Sequence, residues 1–134
     1  MQPRSDKALW VGMGCRQGCP ASELLTLLAQ GLQGNGLQAG DLAGIASLDN
    51  KRGEPGLLAL ARQLSLPLVF FSAQHVARFE PQLSQRSARA FAETGCHGVA
   101  ESCALALATE NGPARLVVTR LQSAQATLAM AGNL

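Results

Sequence analysis

Residues 12–18 read Gly-Met-Gly-Cys-Arg-Gln-Gly, three glycines, a thiol and a guanidinium set between an apolar run and a helical pattern. Glycines let backbone N–H groups turn toward a ligand, and the N-terminus of a following helix adds roughly half a positive charge. Arg16 supplies a planar fork of donors suited to a carboxylate or a phosphate. Gly12, Gly14, Arg16 and Gly18 therefore read as an anion site. The spacing matches neither the dinucleotide fingerprint nor the P-loop, so a tight turn with a solvated arginine stays open beside it. Cys15 stands where a helix N-terminus and Arg16 would both lower a thiol's pKa, which makes it a candidate nucleophile.

A second polar stretch carries Asp49, Lys51, Arg52 and Glu54. Alone it reads as a solvated charged turn. Beside the first, its Lys51 and Arg52 extend a positive rim. Glu54, next to Pro55, reads as a helix-start residue favoured by the dipole. Glu101 falls in the first turn of a later helical pattern, where the same dipole placement and a role as general base are both open. His75 belongs to a third loop; His97 sits in a turn and is given no role. A zinc site built from Cys15, Cys19, Cys96 and His97 would lack the usual knuckle spacing, so no metal is expected, and no cofactor.

These residues need elements to hold them. Residues 7–13 and 41–48 read as buried strands, and residues 65–72 as a third that begins around Pro67. Between the first two, Ala21, Leu24, Leu25, Leu28 and Leu32 keep helical spacing, with Pro20 suited to the first helical position and residues 34–36 as the stop. Between the second and third, Leu57, Leu60, Ala61 and Leu64 do the same from about Pro55. Alternating strands and helices argue for parallel βαβ units, and continuously apolar strands for a sheet covered on both faces. Trp10 and the leucine stripes read as core. Residues 72–80 read as a short turn of helix, residues 84–94 and 98–109 as helices, and residues 114–122 and 126–131 as a hairpin. The fold expected is a single α/β domain over residues 1–134, in three layers, with a mixed sheet of about five strands and a C-terminal hairpin. In such a sheet ligands bind beyond the carboxyl ends of the strands, where the three loops must gather.

Composition excludes several classes. The chain of 134 residues is 47% hydrophobic and 15% charged, which suits a globular domain rather than a disordered one. A net charge of +2 with no basic run and few aromatics gives no reason to expect nucleic acid. No apolar run is long enough to span a membrane, and the apolar part of the N-terminus is too short for a secretory signal, so a cytoplasmic location is expected.

The stretches "GMGCRQGCPASELL", "ASLDNKRGEPGLLALARQLSLPLVFFSA" and "GVAESCALALA", with "ATLAMA" closing the chain, together resemble one known family. It is the family of the C-terminal domain of the cobalamin-biosynthesis protein CbiG and its stand-alone relative CobE. The match runs from about residue 8 to residue 131. It implies a role in making vitamin B12, and the length of the chain suggests the stand-alone form of the aerobic route. Gln17 stands where relatives often carry a second basic residue, and Arg120 where they tend to carry lysine. The ligand implied is an anionic corrin-ring precursor, with other cobalamin-biosynthesis enzymes as further partners. Its carboxylate arms would be held by backbone N–H groups with Arg16, Lys51 and Arg52; the ligand-binding residues expected are Gly12, Gly14, Cys15, Arg16, Gly18, Asp49, Lys51, Glu54 and Glu101, and Phe71 and His75 would meet the ring face. The expected role is carrier or accessory to ring rearrangement. The alternative is a hydrolase of a corrinoid lactone or acyl group, with Cys15 as nucleophile or with Glu101 or Asp49 as general base, and a generic phosphate- or nucleotide-binding module is a third reading.

Overall fold

The computed structural model describes residues 8–86 and 88–134. Five strands form one sheet: β1 (Leu9–Cys15), β2 (Leu42–Leu48), β3 (Leu68–Phe71), β4 (Ala114–Gln122) and β5 (Ala126–Asn133). Their order across the sheet is β3-β2-β1-β5-β4. β1 pairs in parallel with β2, and β2 with β3, while β5 runs antiparallel to both β1 and β4. The mixed five-stranded sheet and the closing hairpin are those the sequence predicts. Lys7, predicted to open the first strand, and Ser87, predicted within a helix, lie outside the described residues.

Two helices cover one face. In α1 (Ala21–Gly34) the buried stripe is Leu24, Leu27, Leu28, Gly31 and Leu32, shifted from the one drawn through Ala21 and Leu25. The shift follows from Gly31, which brings the helix against Met130, Leu121 and Leu128. Pro20 sits one place before the helix, extended at its cap, rather than inside the first turn. In α2 (Pro55–Leu64) Pro55 opens the helix and Leu57, Leu60 and Ala61 are buried. These leucines meet Leu9, Val11 and Met13 of β1, Ile45 of β2, and Leu128 and Met130 of β5. Each fully buried leucine contributes about 1.5–3 kcal/mol before chain entropy is counted.

The other face is covered by α5 (Val99–Thr109), buried on every side from Ala100 to Ala108. Small residues let it lie close on the sheet. A Cβ added to Gly12 would stand 1.9 Å from the Ala100 carbonyl oxygen and 2.5 Å from the Ala104 nitrogen, so no side chain fits there. Gly12 is thus a packing glycine in the middle of β1, not part of a ligand loop. The strand continues through Gly14 to Cys15, and the turn is shorter than the motif suggested. Outside α5 lie α3 (Ala73–Val76), a 3-10 turn (Ala77–Gln82) and α4 (Ala88–Thr94). Alternate residues of β1 serve the two cores: Val11 and Met13 face α1 and α2, and Trp10 faces α5. Covering on both faces explains why the strands read as continuous apolar runs.

Candidate functional site

Because β1, β2 and β3 are parallel, Cys15, Leu48 and Phe71 end on one edge of the sheet. The β4–β5 turn arrives at the same edge, since Ala126 pairs with Cys15. Hydrogen bonds weld the segments together. The Arg16 N–H donates to the Gln125 carbonyl at 2.8 Å. The Gly18 N–H donates to Glu54 Oε2 at 2.7 Å, tying the first loop to the second. Gly18 holds a φ of +83°, which favours glycine. A Cβ on Gly56 would stand 2.2 Å from the Cys19 carbonyl oxygen, so the first turn of α2 presses directly on the first loop. Glu23 of α1 binds the hairpin, accepting from the Ser123 hydroxyl, the Gln125 N–H at 2.7 Å and Gln125 Nε2 at 3.0 Å. Those bonds, the Ser123 hydroxyl's foremost, hold the Glu23 carboxyl below its ordinary pKa.

The structure places the singled-out residues as follows. Gly12 and Gly14 lie within β1, with Gly14 backed by Val99 and Thr127. Cys15 ends the strand half-buried, and burial pushes its thiol up to about 11. Lys51 favours the thiolate and Glu54 opposes it, but neither outweighs burial. Burial thus works against the activated nucleophile foreseen at Cys15. Glu54 is buried, and its carboxylate reaches Gly18 rather than capping its own helix. Glu101, 1% exposed, accepts from the Ser84 N–H at 2.8 Å, the Ser84 hydroxyl and the Arg120 N–H at 2.9 Å. It fastens the segment after the 3-10 turn to β4 instead of facing solvent as a base. Asp49 pairs with Arg52 at 3.2 Å, and the Arg52 guanidinium also lies over Phe70, so Arg52 is engaged. Phe71 is buried and stacks on His75 at 5.0 Å, which leaves its ring no face for a ligand.

What remains free is positive. Arg16 is exposed and Lys51 half-buried, and neither has an ion-pair partner among the described residues. Arg16 borders a cavity of about 200 Å³ whose walls include Cys15, Thr94, His97, Arg120 and Thr127. Gly98 and Val99 bring the start of α5 to the same cavity, and no side chain caps that helix. Its first N–H groups thus add to the positive field. Arg120 is steadied by Gln85, whose amide oxygen accepts from Nη2. The residues missed in the sequence are Arg120, Thr127 and His97 as walls of a cavity. The signal for the first two was the hairpin itself, whose turn must rejoin the edge where β1 ends. A larger cavity of about 340 Å³ opens at the opposite edge, beside Leu37, Asp41, Arg115 and Asn133. Among the described residues, no His, Cys, Asp and Glu group is arranged to hold a metal, and no helix is long and apolar enough to cross a membrane.

Comparison with known proteins gives a consistent result. Residues 9–131 match the family model described as the cobalamin synthesis G C-terminus. A Sinorhizobium protein named protein CobE is 39% identical over 129 residues, covering 96% of this chain and 82% of that protein. A cobalt-precorrin-5A hydrolase of Priestia megaterium is 28% identical over 125 residues, but this chain spans only 32% of it. Among solved structures, CobE, described as a protein from the cobalamin (vitamin B12) biosynthetic pathway, superposes with a TM-score of 0.90 at 41% identity, covering 95% of this chain and 91% of that one.

Proposed function

The chain belongs to the family of the cobalamin synthesis G C-terminus, a family of vitamin B12 biosynthesis, and on that footing we propose that it binds an anionic corrin-ring precursor at the carboxyl edge of its sheet. The observation that carries this reading is the imbalance of charge at that edge. Glu23, Glu54 and Glu101 are taken up by internal hydrogen bonds, whereas Arg16 and Lys51 meet no carboxylate among the described residues. Ring precursors carry acetate and propionate arms around a flat apolar macrocycle. A cavity of about 200 Å³ takes an arm, not the whole ring, so the macrocycle lies across the rim with one arm inserted. The protein then acts as a carrier of the precursor, or as an accessory to its rearrangement, in the cytoplasm and beside other enzymes of the route.

A hydrolytic role for this chain finds less support. Its two leading candidates are a thiol pushed up to about 11 and a buried carboxylate with every oxygen engaged. The test is a titration with a corrin bearing free acetate and propionate arms, followed by its visible absorbance. Binding is expected to weaken about tenfold in Arg16→Ala, the loss of one charge-assisted contact, and to vanish when the arms are methyl esters. Equal binding of the acid and its ester would refute the reading.

A further inference from the structure

β4 departs from regular pairing just before it reaches the candidate site. Val118 pairs with Met130 and Leu121 with Leu128, so Thr119 and Arg120 together stand opposite Ala129. Such a bulge resets which side chains face which side of a sheet. Val118 and Leu121 both serve the core under α1 and α2. In unbroken alternation the residue two beyond Val118 would share its face, and Arg120 would point at that core. The extra residue puts Arg120 on the other face, the one that carries α5. Gln122, two positions further, pairs with Thr127, and Thr127 pairs with Gly14. A Cβ on Gly14 would meet Thr127 and Val99, which places that row on the α5 face. Arg120, Gln122, Thr127 and Gly14, with Gly98 and Val99 at the start of α5, are walls of the cavity of about 200 Å³.

The arginine is also held. Its Nη2 donates to Gln85 Oε1, and its backbone N–H donates to Glu101 Oε2 at 2.9 Å. The same carboxylate accepts from the Ser84 N–H at 2.8 Å and from the Ser84 hydroxyl. Glu101 thus fixes both halves of the arrangement: the strand that carries the arginine, and the residue before the glutamine that steadies it. The guanidinium's partner is a neutral amide, and Arg120 forms no ion pair among the described residues. Its charge is fixed in place and uncompensated. We infer that Arg120 receives the carboxylate of the arm inserted into this cavity, with Glu101 and Gln85 as positioning residues. The inference rests on the binding reading above and deepens it, adding a grip inside the cavity to Arg16 at its border.

The chemistry of the cavity agrees with this assignment. Among the described residues no carboxylate lines it. A guanidinium keeps donors to spare after one bond to an amide, and its planar fork suits a carboxylate. An amide at Gln85 orients the group without neutralising it, as an acid there would. Fixing a long side chain beforehand removes part of the ordering cost that binding otherwise carries. The start of α5, which no side chain caps, stands in the same wall and favours negative charge. A bulge beside the end of a strand is a common device for re-aiming a side chain toward a site.

The test is affinity for the free-acid corrin, followed by its visible absorbance, across a set of variants. Arg120→Gln is expected to bind about tenfold more weakly than wild type, the loss of one charge-assisted contact. Arg120→Lys keeps the charge without the fork and should recover part of that loss. Gln85→Ala changes an exposed residue that is no wall of the cavity. It should weaken binding about threefold at an unchanged unfolding midpoint. In the Arg120→Gln background the same change should do nothing, because Gln85 acts through the arginine. An effect of Gln85→Ala that persists there removes its positioning role, and unweakened binding in Arg120→Gln overturns the inference. Arg16→Ala separates the two levels. If it weakens binding while Arg120→Gln does not, the inference alone fails. If wild type does not bind the probe at all, the binding reading fails and takes the inference with it. A second readout is made on wild type. The Nε–H resonance of Arg120, assigned by its absence from Arg120→Lys, should shift when the protein is saturated with the probe. An unmoved resonance in a saturated sample overturns the proposal.

Discussion

The two ends of the sheet differ in how they spend their polar groups. The edge opposite the candidate site holds a cavity of about 340 Å³, and the carboxyl edge holds two, of about 200 Å³ beside Arg16 and about 320 Å³ between Gly18 and Glu54. At the opposite edge Arg115 is exposed, while Trp10 and Asn133 are matched to one another. Trp10 Nε1 donates to Asn133 Oδ1 at 3.0 Å, and Asn133 Nδ2 donates to the carbonyls of Ala108 at 2.8 Å and Gly112 at 3.1 Å, closing the end of α5 onto β5. At the carboxyl edge Glu23, Glu54 and Glu101 are taken up by N–H groups and hydroxyls, while Asp49 pairs with Arg52. Arg16 and Lys51 have no ion-pair partner among the described residues. The proposed reading rests instead on Arg16 and Lys51, at the edge that the topology builds from several loops.

Substitutions at each end sharpen that contrast. The largest effect is expected from Gly12→Val, in the strand that joins both ends. Its side chain would collide with the backbone of α5, and a loss of about 3 kcal/mol or more in urea unfolding is expected; an unchanged midpoint would mean that α5 does not sit on β1 as described. Next comes Glu101→Leu, which strips the acceptor from the Ser84 hydroxyl and from the N–H groups of Ser84 and Arg120. A loss of about 2–3 kcal/mol is expected, far more than for an exposed carboxylate. At the opposite end, Trp10→Phe removes the donor to Asn133 and should cost about 1 kcal/mol without altering ligand affinity. If it weakens binding, the ends are not independent.

Smaller effects follow from titration. The Glu23 carboxyl is held below its ordinary value of 4.5, chiefly by the Ser123 hydroxyl. The unfolded chain therefore binds that proton more readily. The resulting stabilisation is present above about pH 4.5 and is lost as pH falls through the lower folded value. Glu23→Gln should flatten the acid limb of the stability curve, and an unchanged limb would count against the hairpin anchor. Cys15, pushed up to about 11, should be only about one part in a thousand thiolate at pH 8. Its alkylation should be slow at neutral pH and quicken only in strong alkali; rapid labelling at pH 7 would restore the nucleophile.

Most of the scaffold was legible because periodicity records burial. The strands, α1, α2 and α5 stand close to where the apolar patterns put them, since leucine spacing and small-residue runs report which surfaces are covered. The gathering of the first two loops was legible too, because parallel strands leave no other geometry. The roles of single residues were not. A glycine needed for a close helix approach and a glycine needed for a turn look alike in sequence, and so Gly12 and Gly14 were read into the loop. Glu54 and Glu101 carry no mark of the donors that Gly18, Ser84 and Arg120 bring from 17 to 36 positions away. His97 was silent for the same reason: its meaning lies in Glu80 and Phe91, which only the fold brings beside it.

The most direct measurement sets the two edges against each other. Affinity for the free-acid corrin is determined for wild type, for Arg16→Ala at the carboxyl edge, and for Arg115→Ala beside the larger cavity. About a tenfold loss in Arg16→Ala with Arg115→Ala unchanged is the expected result. The reverse pattern, with Arg115→Ala weakened and Arg16→Ala intact, would place the ligand at the other end of the sheet and contradict the account.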